Sequence, residues 1–294
     1  MMNKVVSRLL IFFIGIPIVI AFIVAPFCNH ILLHILVCLI SALGASELYD
    51  IFSVKYKLLN KKLIIAESIF IPLVAALYAI LPSLGISFYS GQEIITFAYI
   101  VTILILFTVE VFSQKEFEAS NTRLASSIFI ITYTGFLLTF ISRMTTWTLD
   151  GKNITVPVVC VFILMVFMCD SIAWFLGVLF GKSNRGIVKA SPNKSCIGFI
   201  GGFIGSVGAG ILGYYLWPQI FSGSILKIVF TGLCMALSSI VGDLTESVLK
   251  RSSGIKDSGK IIPGRGGILD SIDSIVVSAP IFYLLVSILF GPFN

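Results

Sequence analysis

Nine long apolar runs, at residues 9–27, 31–52, 63–81, 94–112, 124–141, 156–176, 197–217, 225–241 and 272–290, take up most of this 294-residue chain. A transmembrane α-helix needs about 20 such residues. Lipid offers no hydrogen-bond partner to backbone N–H and C=O groups, so a spanning segment of this length satisfies them internally as a helix. The charged fraction agrees: 12% of residues are Asp, Glu, Lys or Arg, against about 25% in soluble domains. There is too little polar side chain to coat a soluble globule, and far too much apolar side chain for a disordered chain. The runs therefore predict an all-α, polytopic integral membrane protein of about nine transmembrane helices.

Orientation follows from the loops, because cytoplasmic loops hold an excess of Lys and Arg. With the N-terminus inside, the inner segments hold Lys4 and Arg8; Lys55, Lys57, Lys61 and Lys62; Lys115 and Arg123; Lys182, Arg185, Lys189 and Lys194; and Lys250, Arg251, Lys256, Lys260 and Arg265. These are seventeen of the 20 basic residues, and only Arg143, Lys152 and Lys227 fall outside. One missed or invented helix would scramble this alternation, so the C-terminus is expected outside. The run at 9–27 is too long for a signal-peptide core and lacks a small-residue cleavage site, which makes it a retained first crossing.

The net charge of +6 does not point to nucleic acid, since the cations lie in short clusters between apolar runs rather than in one patch. Cys28, Cys38, Cys160, Cys169, Cys196 and Cys234 form no C-x-x-C pair and read as small buried hydrophobes. His30 and His34 stand four apart without a third ligand, which disfavours zinc. About five helices in residues 1–150 and a C-terminal half in 151–294 are expected to make one integral unit. Its long polar stretches, at 177–196 and 242–271, are where chemistry belongs, and no strand is expected.

Acids at membrane depth are expensive and usually serve a function or a partner. Glu47, Asp50, Glu67, Glu110, Asp170, Asp243, Glu246, Asp270 and Asp273 sit inside or at the ends of apolar runs. Asp170, Asp243, Asp270 and Asp273 all border the two long inner stretches, so packing can bring them to one depth. Asp270 and Asp273, three apart, share a helix face if the last helix begins near Gly267. A hard divalent cation between such carboxylates fits the spacing; so does a pair of helix-start acids favoured by the N-terminal dipole. Residues 182–195 place four cations and several hydroxyls directly before a Gly-rich helix, an arrangement suited to phosphate and equally to lipid headgroups. Glycines at 198, 201, 202, 205, 208, 210 and 213 give small-x-x-x-small pairs, which favour close helix packing over nucleotide binding.

The stretch 247–273 reads SVLKRSSGIKDSGKIIPGRGGILDSID, with Gly242 and Asp243 upstream, and resembles the signature of the phosphatidate cytidylyltransferases, or CDP-diacylglycerol synthases. Ser247, Lys250, Arg251, Lys256, Asp257, Gly259, Pro263, Gly266, Gly267, Asp270 and Asp273 match that pattern. The run from Ser191 to Ser195 before the Gly-rich helix looks like the family's second motif, and Asp170, Gly181 and Lys182 fit its upstream context. The likeness covers the chain from about Asp170 onward. Arg265 stands where the family usually has His, and Ser271 where it has Arg. A guanidinium does not relay protons, so Arg265 is expected to serve as a cation or donor to phosphate, offsetting the cation absent at Ser271.

The resemblance implies that phosphatidate attacks the α-phosphorus of CTP, giving CDP-diacylglycerol and pyrophosphate. It implies Mg²⁺, as one or two ions on Asp243, Asp270, Asp273 and Asp170, and leaves room for a monovalent cation. Lys194 joins the three acids as catalytic. Lys182, Ser191, Ser195, Lys250, Arg251, Lys256, Asp257 and Arg265 are the expected substrate and phosphate contacts. The partners are then CTP, phosphatidate and the bilayer, with no nucleic acid and with a homodimer left open. The expected location is a bacterial inner membrane with the site facing the cytoplasm. A CTP-dependent lipid kinase, a transporter and a non-catalytic scaffold are the competing readings, in that order.

Overall fold

The computed structural model describes residues 16–86, 91–259, 261–262 and 266–293. Lys4, Arg8, residues 9–15 of the first apolar run, Lys260, Pro263 and Arg265 lie outside the described residues. Ten helices follow in order: α1 (Ile16–Val24), α2 (Ile31–Ser53), α3 (Lys61–Ile80), α4 (Glu93–Ser113), α5 (Ser120–Ile131), α6 (Thr139–Met144), α7 (Thr155–Phe180), α8 (Cys196–Leu216), α9 (Ile225–Ser252) and α10 (Leu269–Phe290). Eight segments among the described residues are long and apolar enough to cross a membrane, and they fall on the last eight apolar runs. One of them, Ser120–Met144, is α5 and α6 joined by a single π-helical turn at Thr132–Phe136. The chain is an all-α polytopic membrane protein.

The expectation of no strand needs correcting. Thr148–Leu149 (β1) and Lys152–Asn153 (β2) pair antiparallel around Asp150 and Gly151, which both take positive φ, 51° and 72°. An Asp-Gly pair with both residues in that region makes the tight turn that matches strand twist.

Two compact units share the chain: residues 1–145 with 252–271, and residues 146–251 with 272–294. In the first unit, α2 and α3 pack most extensively, and Asn60 starts α3 by accepting a hydrogen bond from the Lys62 N–H at 2.9 Å. In the second, α7 and α8 form the dominant pair. Their contact is made by glycine: a Cβ on Gly201 would come within 2.8 Å of the Ile172 carbonyl oxygen, and one on Gly205 would run into that of Met168. This is the close backbone approach that small residues permit in membranes.

α9 and α10 use the same device with serine added. A Cβ on Gly242 would stand 2.6 Å from the Asp273 carbonyl oxygen. Ser274 Oγ donates to the Ser239 carbonyl at 3.1 Å, and Ser238 and Ser278 hydroxyls pair at 3.0 Å. α9 also continues from Val241 to Ser252, so Asp243, Glu246 and Lys250 stand on a helix rather than in the polar stretch expected from Gly242 onward.

Candidate active site

Four helical elements of the second unit bring polar groups to the same end. α7 carries Asp170, the turn before α8 carries Lys194, α9 carries Asp243 and Glu246, and α10 carries Asp273. The Lys194 ammonium bonds the Asp243 carboxylate. Lys250, one turn beyond Glu246 on α9, bonds that carboxylate at 2.5 Å. Ser239 Oγ reaches Asp170 Oδ1 at 3.5 Å. Asp273 is 8% exposed and Glu246 1%, and Asp170, Asp243 and Glu246 all lie within electrostatic reach of Asp273. Of the four acids expected to converge, Asp170, Asp243 and Asp273 come together in this unit and Glu246 joins them, whereas Asp270 falls in the other unit. The Gly242 contact decides this geometry, because any side chain there would push α10, and Asp273 with it, away from Asp243.

Gathering four carboxylates against two lysines leaves an excess of negative charge, which costs free energy unless a cation balances it. Mg²⁺ takes oxygen ligands, keeps several waters and is commonly held by one or two carboxylates plus substrate phosphates. The donor set here is carboxylate and hydroxyl oxygen, and it fits that ion. Among the described residues no three His, Cys, Asp or Glu side chains stand close enough together to hold a metal by themselves. A site completed by nucleotide phosphates needs fewer.

The remaining expected contacts divide. Ser195 is buried and starts α8, its Oγ accepting from the Gly198 N–H at 3.1 Å. That cap satisfies one of the four orphan donors of the helix and sets the turn from which Lys194 projects. Gly177 and Gly181 make room for the same hydroxyl. Ser191 is half-buried within a turn whose Lys194 N–H donates to the Ser191 carbonyl at 3.1 Å. Arg251 points its Nε toward the Ala190 carbonyl at 3.5 Å, linking the end of α9 to that turn. Lys182, Lys256 and Asp257 are exposed.

Asp270 belongs to the first unit. Its Oδ2 accepts from Ser258 N at 3.0 Å, Ser258 Oγ at 2.9 Å and Gly267 N at 2.8 Å. Half of this carboxylate is committed to bracing the loop before α10. Ser271 Oγ has no hydrogen-bond partner among the described residues.

The acids left without a role by sequence all find partners in the first unit. Asp50 pairs with Lys61 at 2.7 Å. Glu67 accepts from Thr102 Oγ1 at 2.9 Å. Glu110 takes a forked interaction from Arg123, whose Nη2 lies 2.5 Å from Oε1. Glu47, on α2, reaches the loop before α10, more than 200 residues along the chain, which no local pattern signals. His34 bonds Ser142 at 3.0 Å, a packing contact that accounts for one of the two histidines. Cys196 is exposed, unlike the buried thiol expected.

The model of the family described as the cytidylyltransferase family matches residues 6–289. Curated relatives include a phosphatidate cytidylyltransferase of Synechocystis sp., 39% identical over 132 residues, which are 44% of this chain and 43% of the relative. One of Haemophilus influenzae is 38% identical over 142 residues, 48% of this chain and 49% of the relative. Another of Thermotoga maritima is 39% identical over 125 residues, 42% and 46%. The chain spans about half the length of the curated relatives it matches.

Proposed function

The chain belongs to the cytidylyltransferase family, and from that premise we propose that it transfers the cytidylyl group of CTP to phosphatidate, forming CDP-diacylglycerol and pyrophosphate. The observation that carries this reading is the cluster of Asp170, Asp243, Glu246 and Asp273 around Lys194 and Lys250 at one end of four membrane helices. A phosphomonoester is largely dianionic near neutral pH, with a second pKa of about 6, so the attacking oxygen needs no strong base. It needs its repulsion from the nucleotide phosphates screened and its approach held in line.

Lys194 and Lys250 supply the screening, held in place by Asp243 and Glu246. In the resting protein each ammonium is paired with a carboxylate; binding of the triphosphate offers both a stronger anionic partner. Asp243 and Asp273, with Asp170 beside them, would hold Mg²⁺, which when bound would supply charge neutralisation at the nucleotide phosphates and the leaving pyrophosphate. Lys182, Ser191 and Arg251 serve as further phosphate contacts, and Ser195 sets the turn that aims Lys194. Asp270 braces the loop before α10 through its Oδ2.

A site at the helix ends lets a water-soluble nucleotide meet a headgroup whose acyl chains stay between helices. The distribution of basic residues supports a cytoplasmic site with nine crossings and the C-terminus outside, and a bacterial inner membrane is the proposed location. The test is product analysis: purified protein with CTP and Mg²⁺ should release pyrophosphate only when phosphatidate is added. Release of CDP instead would assign the chain to lipid phosphorylation.

A further inference from the structure

In the first unit, Glu47 lies in the middle of α2's polar end and is 5% exposed. Its Oε1 accepts from the Ile268 N–H at 2.9 Å, and its Oε2 from the Leu269 N–H at 2.9 Å and Ser258 Oγ at 3.0 Å. These are among the orphan donors at the start of α10. A carboxylate there is favoured by the helix dipole and makes charge-assisted bonds. Ser258 Oγ also lies 2.9 Å from Asp270 Oδ2, so one serine bridges two carboxylates. Two motif glycines leave the space that Glu47 fills: a Cβ on Gly259 would run into Glu47 Oε1, and one on Gly267 would run into Oε2.

From this we infer that Glu47 is a positioning residue for the transfer reaction: it fixes where α10 begins, and thereby the height and rotation of Asp270 and Asp273 on that helix. Gly259 and Gly267 are small because the carboxylate occupies their side-chain space. Glu47 touches no substrate and acts through the helix start. Its catalytic consequence rests on the proposed reaction, whereas the anchoring itself does not.

The experiment compares wild type, Glu47→Gln, Glu47→Ala, Gly259→Ala and the Glu47→Ala/Gly259→Ala double variant, all purified in detergent. Amide exchange and cytidylyl transfer to phosphatidate are both read. Glu47→Gln keeps one carbonyl oxygen but turns an NH2 toward a backbone donor. Its turnover should fall on the order of 100-fold, the scale of a 1 Å misplacement, with a much smaller change in KM for CTP. Exchange at Ile268 and Leu269 should quicken while α3 and α7 keep wild-type protection. Gly259→Ala should do the same by evicting the carboxylate, and the double variant should be no worse than Glu47→Ala alone. Wild-type turnover and unchanged protection at 268–269 in Glu47→Gln would overturn the inference. So would loss of protection spread evenly over all helices, which would make Glu47 a general fold residue. A wild-type protein that never labels lipid, yet shows Glu47-dependent protection at 268–269, keeps the anchoring and removes only the reaction.

Discussion

At the scale of single residues, the acids of this chain fall into two kinds. Asp50, Glu67 and Glu110 each have a local partner in Lys61, Thr102 and Arg123. Asp170, Asp243, Glu246 and Asp273 crowd one another, and Lys194 and Lys250 pair with Asp243 and Glu246 of that group. Asp273→Asn keeps the shape and removes the charge, so it should abolish turnover and leave the thermal transition in detergent near that of wild type. Normal turnover in that variant would withdraw Asp273 from the metal set. Lys194→Ala frees Asp243 from its ion pair and deletes a phosphate contact. It should lower kcat/KM by about 100-fold or more, the scale of losing one preorganised charge-stabilising donor. A tenfold loss or less would make Lys194 a loop residue only. Asp170, Asp243 and Asp273 were legible because a charge in an apolar run is costly wherever it goes. Glu246 was not grouped with them because spacing alone gives no burial. Glu47's role was illegible for a different reason: its partners are the backbone N–H groups of Ile268 and Leu269, which leave no mark on a sequence.

Among the elements, glycine placement decides how close the helices come. Gly205→Leu would drive a side chain into the Met168 carbonyl, and overpacking of this kind costs about 3 kcal/mol. A lowered thermal transition in detergent measures it, and an unchanged transition would mean that α7 and α8 separate without penalty. Gly242→Ala is the more informative change, since its Cβ meets the Asp273 carbonyl at 2.6 Å. It should reduce turnover strongly while lowering the thermal transition only modestly, because the displaced element is the one carrying a reactive carboxylate. Helix ends were the least legible part of these elements. The apolar run stops at Val241, but the backbone of α9 goes on to Ser252, because Leu244, Glu246, Leu249, Lys250 and Arg251 are good helix formers. The Asp150-Gly151 hairpin was overlooked because its strands are two residues each, too short for any alternation to register.

For the whole molecule, the apolar runs and the basic loops make one joint statement, and the eight spans found among the described residues follow the runs closely. Length and transfer free energy fix a membrane helix almost without help from tertiary contacts, which explains why this level was so readable. Sidedness is open to direct measurement in a cysteine-free background. Single cysteines replacing Lys57, Lys182 and Lys256 should react with an impermeant thiol reagent only from the cytoplasmic side, and one replacing Lys152 only from the opposite side. Labelling of positions 57 and 152 from the same side would break the alternation. The most direct test of the central claim, that this membrane protein moves a cytidylyl group onto a lipid phosphate, is to incubate the purified protein with phosphatidate, Mg²⁺ and CTP labelled at the α-phosphorus, and then to count label in the lipid phase. Metal-dependent label in lipid, matched by pyrophosphate in water, is the predicted result; label that stays wholly in water, with folded protein and intact CTP or with CDP as product, would contradict it.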